Sequence, residues 1–211
     1  MLFCIFVLLS VVFSVGSVVQ NSSCPFITPR ELDLKELDGK WYMAAVATDL
    51  DIKGDCAMVL FNHKGDNTTD VSISWISNNT LSYYNGSVEL TVDSNNTGDL
   101  LMVTYTDQRT ETYSFLDVEY EHYAVIFACY DNVDGVSSTY ELWKLTRTQH
   151  TKDDDALKLD QAIANYSLQS TPFVYFNNTE NSCKVSSGTF LNPSTFIMAS
   201  AAAATLFRRL Y

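Results

Sequence analysis

Basic residues are scarce in this chain: 13 lysines and arginines stand against 25 aspartates and glutamates, a formal net charge of −12. Such a chain repels phosphate backbones, which excludes nucleic acid as a partner. Histidine is scarcer still, with three residues, at His63, His122 and His150. They are scattered, and neither His-Glu-x-x-His nor Gly-x-Ser-x-Gly occurs. No glycine-rich loop leads into a helix. Zinc-hydrolase, serine-hydrolase and nucleotide-binding chemistry therefore lack their residues, and no catalytic group is assigned. Asp153-Asp154-Asp155 has no x-Asp-x-Asp-x-Gly loop around it, so these acids read as the opening of a helix and no metal ligands are assigned.

What is present begins at the ends. Leu2 to Val15 is one apolar run that closes on the small residues Ser14 and Gly16, the pattern of a secretory signal peptide over residues 1–16. It is shorter than the roughly 20 residues a spanning helix needs. At the other end, Ser186-Ser187-Gly188 precede a polar spacer and a largely apolar tail, Phe196 to Phe207. That order resembles a glycosylphosphatidylinositol attachment signal, with Ser186 as the attachment residue and 187–211 as the removed propeptide. Arg208 and Arg209 depart from it, and a retained helical extension is the alternative. Between the two ends, 17–186 is expected to form one domain.

Seven Asn-x-Ser/Thr sequons lie in that stretch, at Asn21, Asn67, Asn78, Asn85, Asn95, Asn165 and Asn177. On an exported chain they imply a heavily glycosylated surface and mark expected loops, with several turns between Asn67 and Asn95. Cys4 would leave with the leader. Cys24, Cys56, Cys129 and Cys183 remain, an even number suited to an oxidising compartment and compatible with three pairings.

From Trp41 to Arg147 the sequence is a series of short runs rich in Val, Ile, Tyr, Phe and Thr, broken by Gly, Asn and Asp. Strands are expected at 40–49, 56–63, 70–77, 80–84, 87–92, 99–106, 111–117, 122–130 and 138–146. Their spacing predicts an antiparallel meander that closes into a barrel. The period then changes: Ala156, Leu159, Ile163 and Tyr166 mark one amphipathic helix, with Thr151 or Asp153 as its N-cap. A last strand is expected at 173–176.

Gly39-Lys40-Trp41, led in by Leu34, Leu37 and Asp38, together with Arg147 late in the final barrel strand, resembles the lipocalin family. Val118-Glu119-Tyr120 and the strand ending at Cys129 are similar to the apolipoprotein D, Lazarillo and insect bilin-binding group. The resemblance implies an all-β, eight-stranded antiparallel up-and-down barrel with one helix packed outside. It also implies that Arg147 packs on Trp41 at the barrel floor, with Gly39 part of the same structural motif. The implied disulfides are Cys24 with Cys129 and Cys56 with Cys183. Prostaglandin-making relatives use a free thiol in the cavity; that pairing leaves none here, so no enzyme activity is expected.

Alternation counted back from Arg147 puts Leu145, Trp143 and Glu141 on one face of the last barrel strand. If Cys129 points outward to meet Cys24, then Ala124, Ile126 and Ala128 point inward. Trp75, Tyr105, Tyr113 and Phe115 complete the candidate ligand-binding residues with Trp143 and Ile126, although a β-bulge on any strand would reverse its parity. The resemblance implies an extracellular carrier of a small hydrophobic molecule, of the tetrapyrrole, retinoid, sterol or fatty acid class, with biliverdin as one non-covalent example. The alternative is a Lazarillo-type, lipid-anchored recognition glycoprotein on the outer face of the plasma membrane, whose partner is a cell-surface receptor protein.

The tail pattern makes a direct prediction. Phosphatidylinositol-specific phospholipase C should release the protein from intact cells, and peptides containing Tyr211 should be missing from the mature chain. Recovery of Phe207-containing peptides with no phospholipase-sensitive pool would contradict the anchor.

Overall fold

Alternation of β-branched and aromatic residues with small polar ones suits a pleated surface with one dry face, and the described residues use it in ten strands. In the structure, a computed structural model describing residues 17–28, 30–65, 68–92 and 98–184, eight of them close on themselves. The expected leader, Ser186 with the tail beyond it, and the sequons at Asn67 and Asn95 lie outside the described residues. The barrel strands are β2 (Gly39–Ala47), β3 (Cys56–His63), β4 (Thr69–Ser77), β5 (Thr80–Val92), β6 (Asp99–Tyr105), β7 (Thr110–Glu119), β8 (Tyr123–Asp131) and β9 (Ser138–Thr146). Each pairs antiparallel with the next, and β9 returns to β2, with Tyr42 opposite Thr146 and Ala47 opposite Leu142. Short β1 (Val18–Gln20) and β10 (Val174–Tyr175) extend this up-and-down barrel along β9 and β2.

Two packed layers follow from the alternation. Inside lie Trp41, Met43, Val46, Phe61, Ile73, Trp75, Val103, Tyr113, Phe115, Ile126, Trp143 and Leu145, among others. Outside, Tyr123, Val125, Phe127, Tyr140 and Leu142 are covered by Leu159, Ala162 and Ile163 of helix α2 (Asp153–Ala164). Bulges between Met43 and Ala45 and between Phe115 and Asp117 reverse the parity of β2 and β7. That is why Met43 and Val46, three apart, both face inward, and why Val118, three after Phe115, packs on the inner core as well.

Several local expectations need correction. The runs at 80–84 and 87–92 are one 13-residue strand, because Asn85-Gly86 does not turn. Gly86 pairs with Val71 on one side and Tyr105 on the other, and a Cβ there would sit 2.7 Å from the Thr104 carbonyl oxygen. Pairing on both edges thus overrides the local turn preference of Asn-Gly. Asn85 is accordingly a half-buried strand residue, whereas Asn21, Asn78, Asn165 and Asn177 are exposed outside the strands. The N-cap of α2 is Lys152, not Thr151 or Asp153, and no side chain caps it; Asp153, Asp154 and Asp155 in the first turn supply the negative charge that the helix start favours. Helix α1 (Leu34–Leu37), capped by Asp33, and β1 had no counterpart among the expected elements.

The floor is built from α1 and Arg147. Trp41 is fully buried and its Nε1–H donates to Leu37 O at 2.9 Å. The Arg147 guanidinium lies 3.8 Å from the centroid of the Trp41 ring system. It also donates to four carbonyls, Tyr120 O at 2.7 Å, Asp38 O at 2.9 Å, Lys40 O at 3.2 Å and Glu36 O at 2.7 Å. Gly39 has φ +93°, and a Cβ on it would stand 3.4 Å from Arg147 Nη1. A side chain there would be strained in the left-handed region while crowding the guanidinium. The Tyr120 hydroxyl accepts from Asp33 N at 3.0 Å, so the acid-tyrosine segment is part of the floor as well.

Disulfides join Cys24 to Cys129 and Cys56 to Cys183, across 105 and 127 residues. In the chain-entropy picture each stabilises by about 4–5 kcal/mol. They fit an oxidising compartment. Among the described residues no helix is long and apolar enough to cross a membrane.

The floor predicts a stability phenotype. Arg147→Ala leaves four carbonyls without their charged donor and uncovers Trp41, which should cost about 2–4 kcal/mol and lower Tm by roughly 5–10 °C. Arg147→Lys should recover little of this, because a point charge cannot span the four carbonyls. An unchanged Tm in Arg147→Ala would contradict the pairing.

Candidate functional site

With the floor closed, access to the interior is from the opposite end, where the connections 48–55, 78–79, 106–109 and 132–137 lie. An apolar cavity of about 30 Å³ remains between Val59, Phe61, Val71, Ile73, Leu101, Val103, Tyr105, Tyr113, Ile126 and Trp143. Drug-sized ligand sites span about 300–1,000 Å³, so the lumen is nearly filled by its own side chains.

Of the candidates chosen for size and alternation, Tyr105, Tyr113, Ile126 and Trp143 line this cavity. Trp75 and Phe115 face the same core but lie away from the space, Trp75 packing on Tyr84 at 5.2 Å between ring centroids. Ala124 and Ala128 face inward as alternation implied, yet the room their small side chains were expected to leave is occupied by larger neighbours. Six of the lining residues were not among the candidates. They come as the pairs Val59 and Phe61, Val71 and Ile73, Leu101 and Val103, each separated by one residue, so period-two alternation on β3, β4 and β6 carried that signal.

One polar cluster interrupts the apolar wall. Glu141 is 7% exposed and lies on the face of β9 that carries Trp143 and Leu145. Trp143 Nε1–H donates to its Oε2 at 3.3 Å and the Tyr113 hydroxyl donates to the same oxygen at 3.5 Å. Tyr113 and Tyr105 share a hydrogen bond of 3.1 Å between hydroxyls. Asp49 N, from the connection after β2, donates to Glu141 Oε1 at 3.4 Å. Burial, reinforced by the neighbouring Asp49, pushes the Glu141 carboxyl up from its ordinary 4.5 to about 8. Burial likewise holds the Tyr105 and Tyr113 hydroxyls well above their ordinary 10.0, so both remain donors at neutral pH. Tyr113 and Trp143 meet edge to face, with ring centroids 6.2 Å apart. Alternation alone places Glu141 on the inward face without giving it a role; it is the one acid on that face of β9.

The other titratable residues serve the frame. His122 lies 3.6 Å from Asp155, the acid in the first turn of α2, and Lys158 of the same helix bridges to Glu119 at 2.7 Å. Among the described residues no group of three or more His, Cys, Asp or Glu is arranged to hold a metal ion.

No family model matches the chain, and no match was found among curated proteins. Solved structures do match. Insecticyanin from the tobacco hornworm Manduca sexta superposes with a TM-score of 0.68 at 21% identity, covering 81% of this chain and 94% of its own. Lobster apocrustacyanin A1 gives a TM-score of 0.64 at 18% identity, covering 77% and 92%. The barrel closure, the outside helix and these superpositions establish the lipocalin fold.

Glu141 predicts a pH dependence of known sign. Between about pH 4.5 and 8 the unfolded chain gives up a proton that folded Glu141 keeps, so this group's stabilisation is present below that window and lost as pH rises through it. Glu141→Gln should flatten the decline, giving a variant whose Tm relative to the native protein rises from pH 5 to pH 8. A Tm difference that stays constant across that range would contradict a buried, protonated Glu141.

Proposed function

We propose that the protein is an extracellular carrier that binds one small, predominantly apolar molecule in the upper half of the barrel. The observation that carries this reading is the aromatic-walled cavity of about 30 Å³ beneath the open end, lined without a charged side chain. A closed barrel whose interior were only a core would gain nothing from a void there, since a lining without partner atoms forfeits packing energy. The space is far too small for a tetrapyrrole or sterol as the side chains stand. A slender ligand that displaces Tyr105 or Trp143 is favoured over those bulkier classes and over biliverdin.

Secretion, glycans at the exposed asparagines and a lipid anchor at Ser186 would place this carrier at the outer face of the cell. The recognition reading draws on a different feature. Phe26, Tyr130, Val133 and Val136 are exposed large apolar residues on the N-terminal arm and the β8–β9 hairpin, two segments tied by the Cys24–Cys129 bond. A receptor contact there is compatible with carriage, because it leaves the lumen unused.

Titration with the apolar fluorophore N-phenyl-1-naphthylamine separates the two. Saturable uptake at one molecule per chain is expected, reduced at least tenfold by Ile126→Phe, or by Val103→Phe if the first variant does not fold. Uptake that ignores both fillings would place the probe on the outer surface and contradict carriage.

A further inference from the structure

Resting on the carrier reading, the geometry points to a ligand class: we propose that the barrel takes a small apolar amine, whose ammonium group is held by Glu141 at the upper end of the lumen. Glu141 is nine-tenths buried on the inward face, directly above the apolar cavity, and the residues that bond it, Tyr113 and Trp143, are also walls of that cavity. A ligand reaching the cavity from the open end therefore passes this carboxyl.

Asp49 N, the Tyr113 hydroxyl and Trp143 Nε1 reach the Glu141 carboxyl over 3.3–3.5 Å, beyond the usual range for amide and hydroxyl donors, and the Thr48 and Asp49 side chains also bond it. Among the described residues no Lys, Arg or His pairs with it. Arg109 in the β6–β7 turn is engaged by Asp107 at 3.1 Å and lies 5.2 Å from the Tyr105 ring centroid. An ammonium donating at charge-assisted distance, about 2.7–2.9 Å, supplies what these long contacts do not.

The surroundings select charge in the same direction. Asp49 from the β2–β3 connection and Glu111 on β7 add negative charge at this end, and Asp49 adds to burial in pushing up the carboxyls of both Glu111 and Glu141. Facing Glu141 and its partners are Asp49 and Thr48 beyond β2, Tyr105 on β6, Arg109 in the turn, and Glu111 and Tyr113 on β7. The acids outnumber the one arginine, so a carboxylate ligand such as a fatty acid meets repulsion where an amine meets attraction. The Tyr105, Tyr113 and Trp143 rings offer faces for cation–π contact with the same group. At neutral pH the ammonium takes the place of the proton on Glu141, and that proton leaves to solvent.

Isothermal titration of the glycosylated, exported chain with three molecules of similar shape tests this: 2-phenylethylamine, 3-phenylpropionate and 2-phenylethanol. At pH 7 the amine should bind at least tenfold tighter than the acid or the alcohol. Comparison of buffers with different ionisation enthalpies should show close to one proton released per amine bound. Glu141→Gln should weaken the amine at least tenfold, abolish proton release and leave the alcohol unchanged. Asp49→Asn, an exposed site that should fold regardless, should weaken the amine by a smaller factor. Equal or tighter binding of the acid or the alcohol, or an amine affinity indifferent to both substitutions, overturns the amine assignment while leaving carriage intact. If none of the three binds and N-phenyl-1-naphthylamine is not taken up either, carriage itself fails.

Discussion

The guanidinium of Arg147 is the contact on which the rest of the barrel depends. A cylinder of eight strands has two open ends, and water entering both would leave its apolar interior wet. One planar cation closes one end by stacking on Trp41 and by donating to carbonyls from α1, the start of β2 and the β7–β8 connection. The same group thus satisfies four backbone acceptors and excludes solvent. Gly39 is required because the chain must turn with φ +93° beneath the guanidinium. Glu141 and the Tyr105 and Tyr113 hydroxyls lie toward the other end.

That asymmetry is reinforced by the segments that flank the barrel. Asn178 is buried, donates to Met43 O at 2.7 Å and accepts from Ala57 N at 3.0 Å, filling the backbone vacancy left by the bulge in β2. Cys56–Cys183 holds this segment against the second barrel strand, while Cys24–Cys129 holds the N-terminal arm on the outside of β8. Helix α2 covers the outer faces of β7 to β9. Bracing from outside leaves the interior to side chains alone, which is why a small void and one buried acid stand out there.

The sequence carried the frame more clearly than the interior. Strand runs, the change of period after Arg147 and the paired features Gly39-Lys40-Trp41 and Arg147 are local or backbone-determined, and they sufficed for barrel, helix and floor. Asn85-Gly86 misled because a turn signal has no force where both edges of a strand are paired. The bulges in β2 and β7 are tertiary adjustments with no residue signature, and they shift which side chains face inward. Size and alternation brought Tyr105, Tyr113, Ile126 and Trp143 to one cavity. They did not reveal how little space those side chains leave, since volume depends also on neighbours contributed by β3, β4 and β6. Glu141 was on the right face but had no visible role until its distances to Asp49, Tyr113 and Trp143 were known.

A lumen that is apolar, nearly full and capped by a buried carboxyl with no cationic partner among the described residues suits a ligand that is small and completes that carboxyl. Native mass spectrometry of the protein purified from its own cells without organic solvent, after enzymatic removal of glycans, addresses this most directly. The account predicts a folded species heavier than the chain by the mass of one small molecule, lost on gentle activation. A folded population at the mass of the bare chain, unchanged after incubation with apolar amines and neutral analogues, would contradict it.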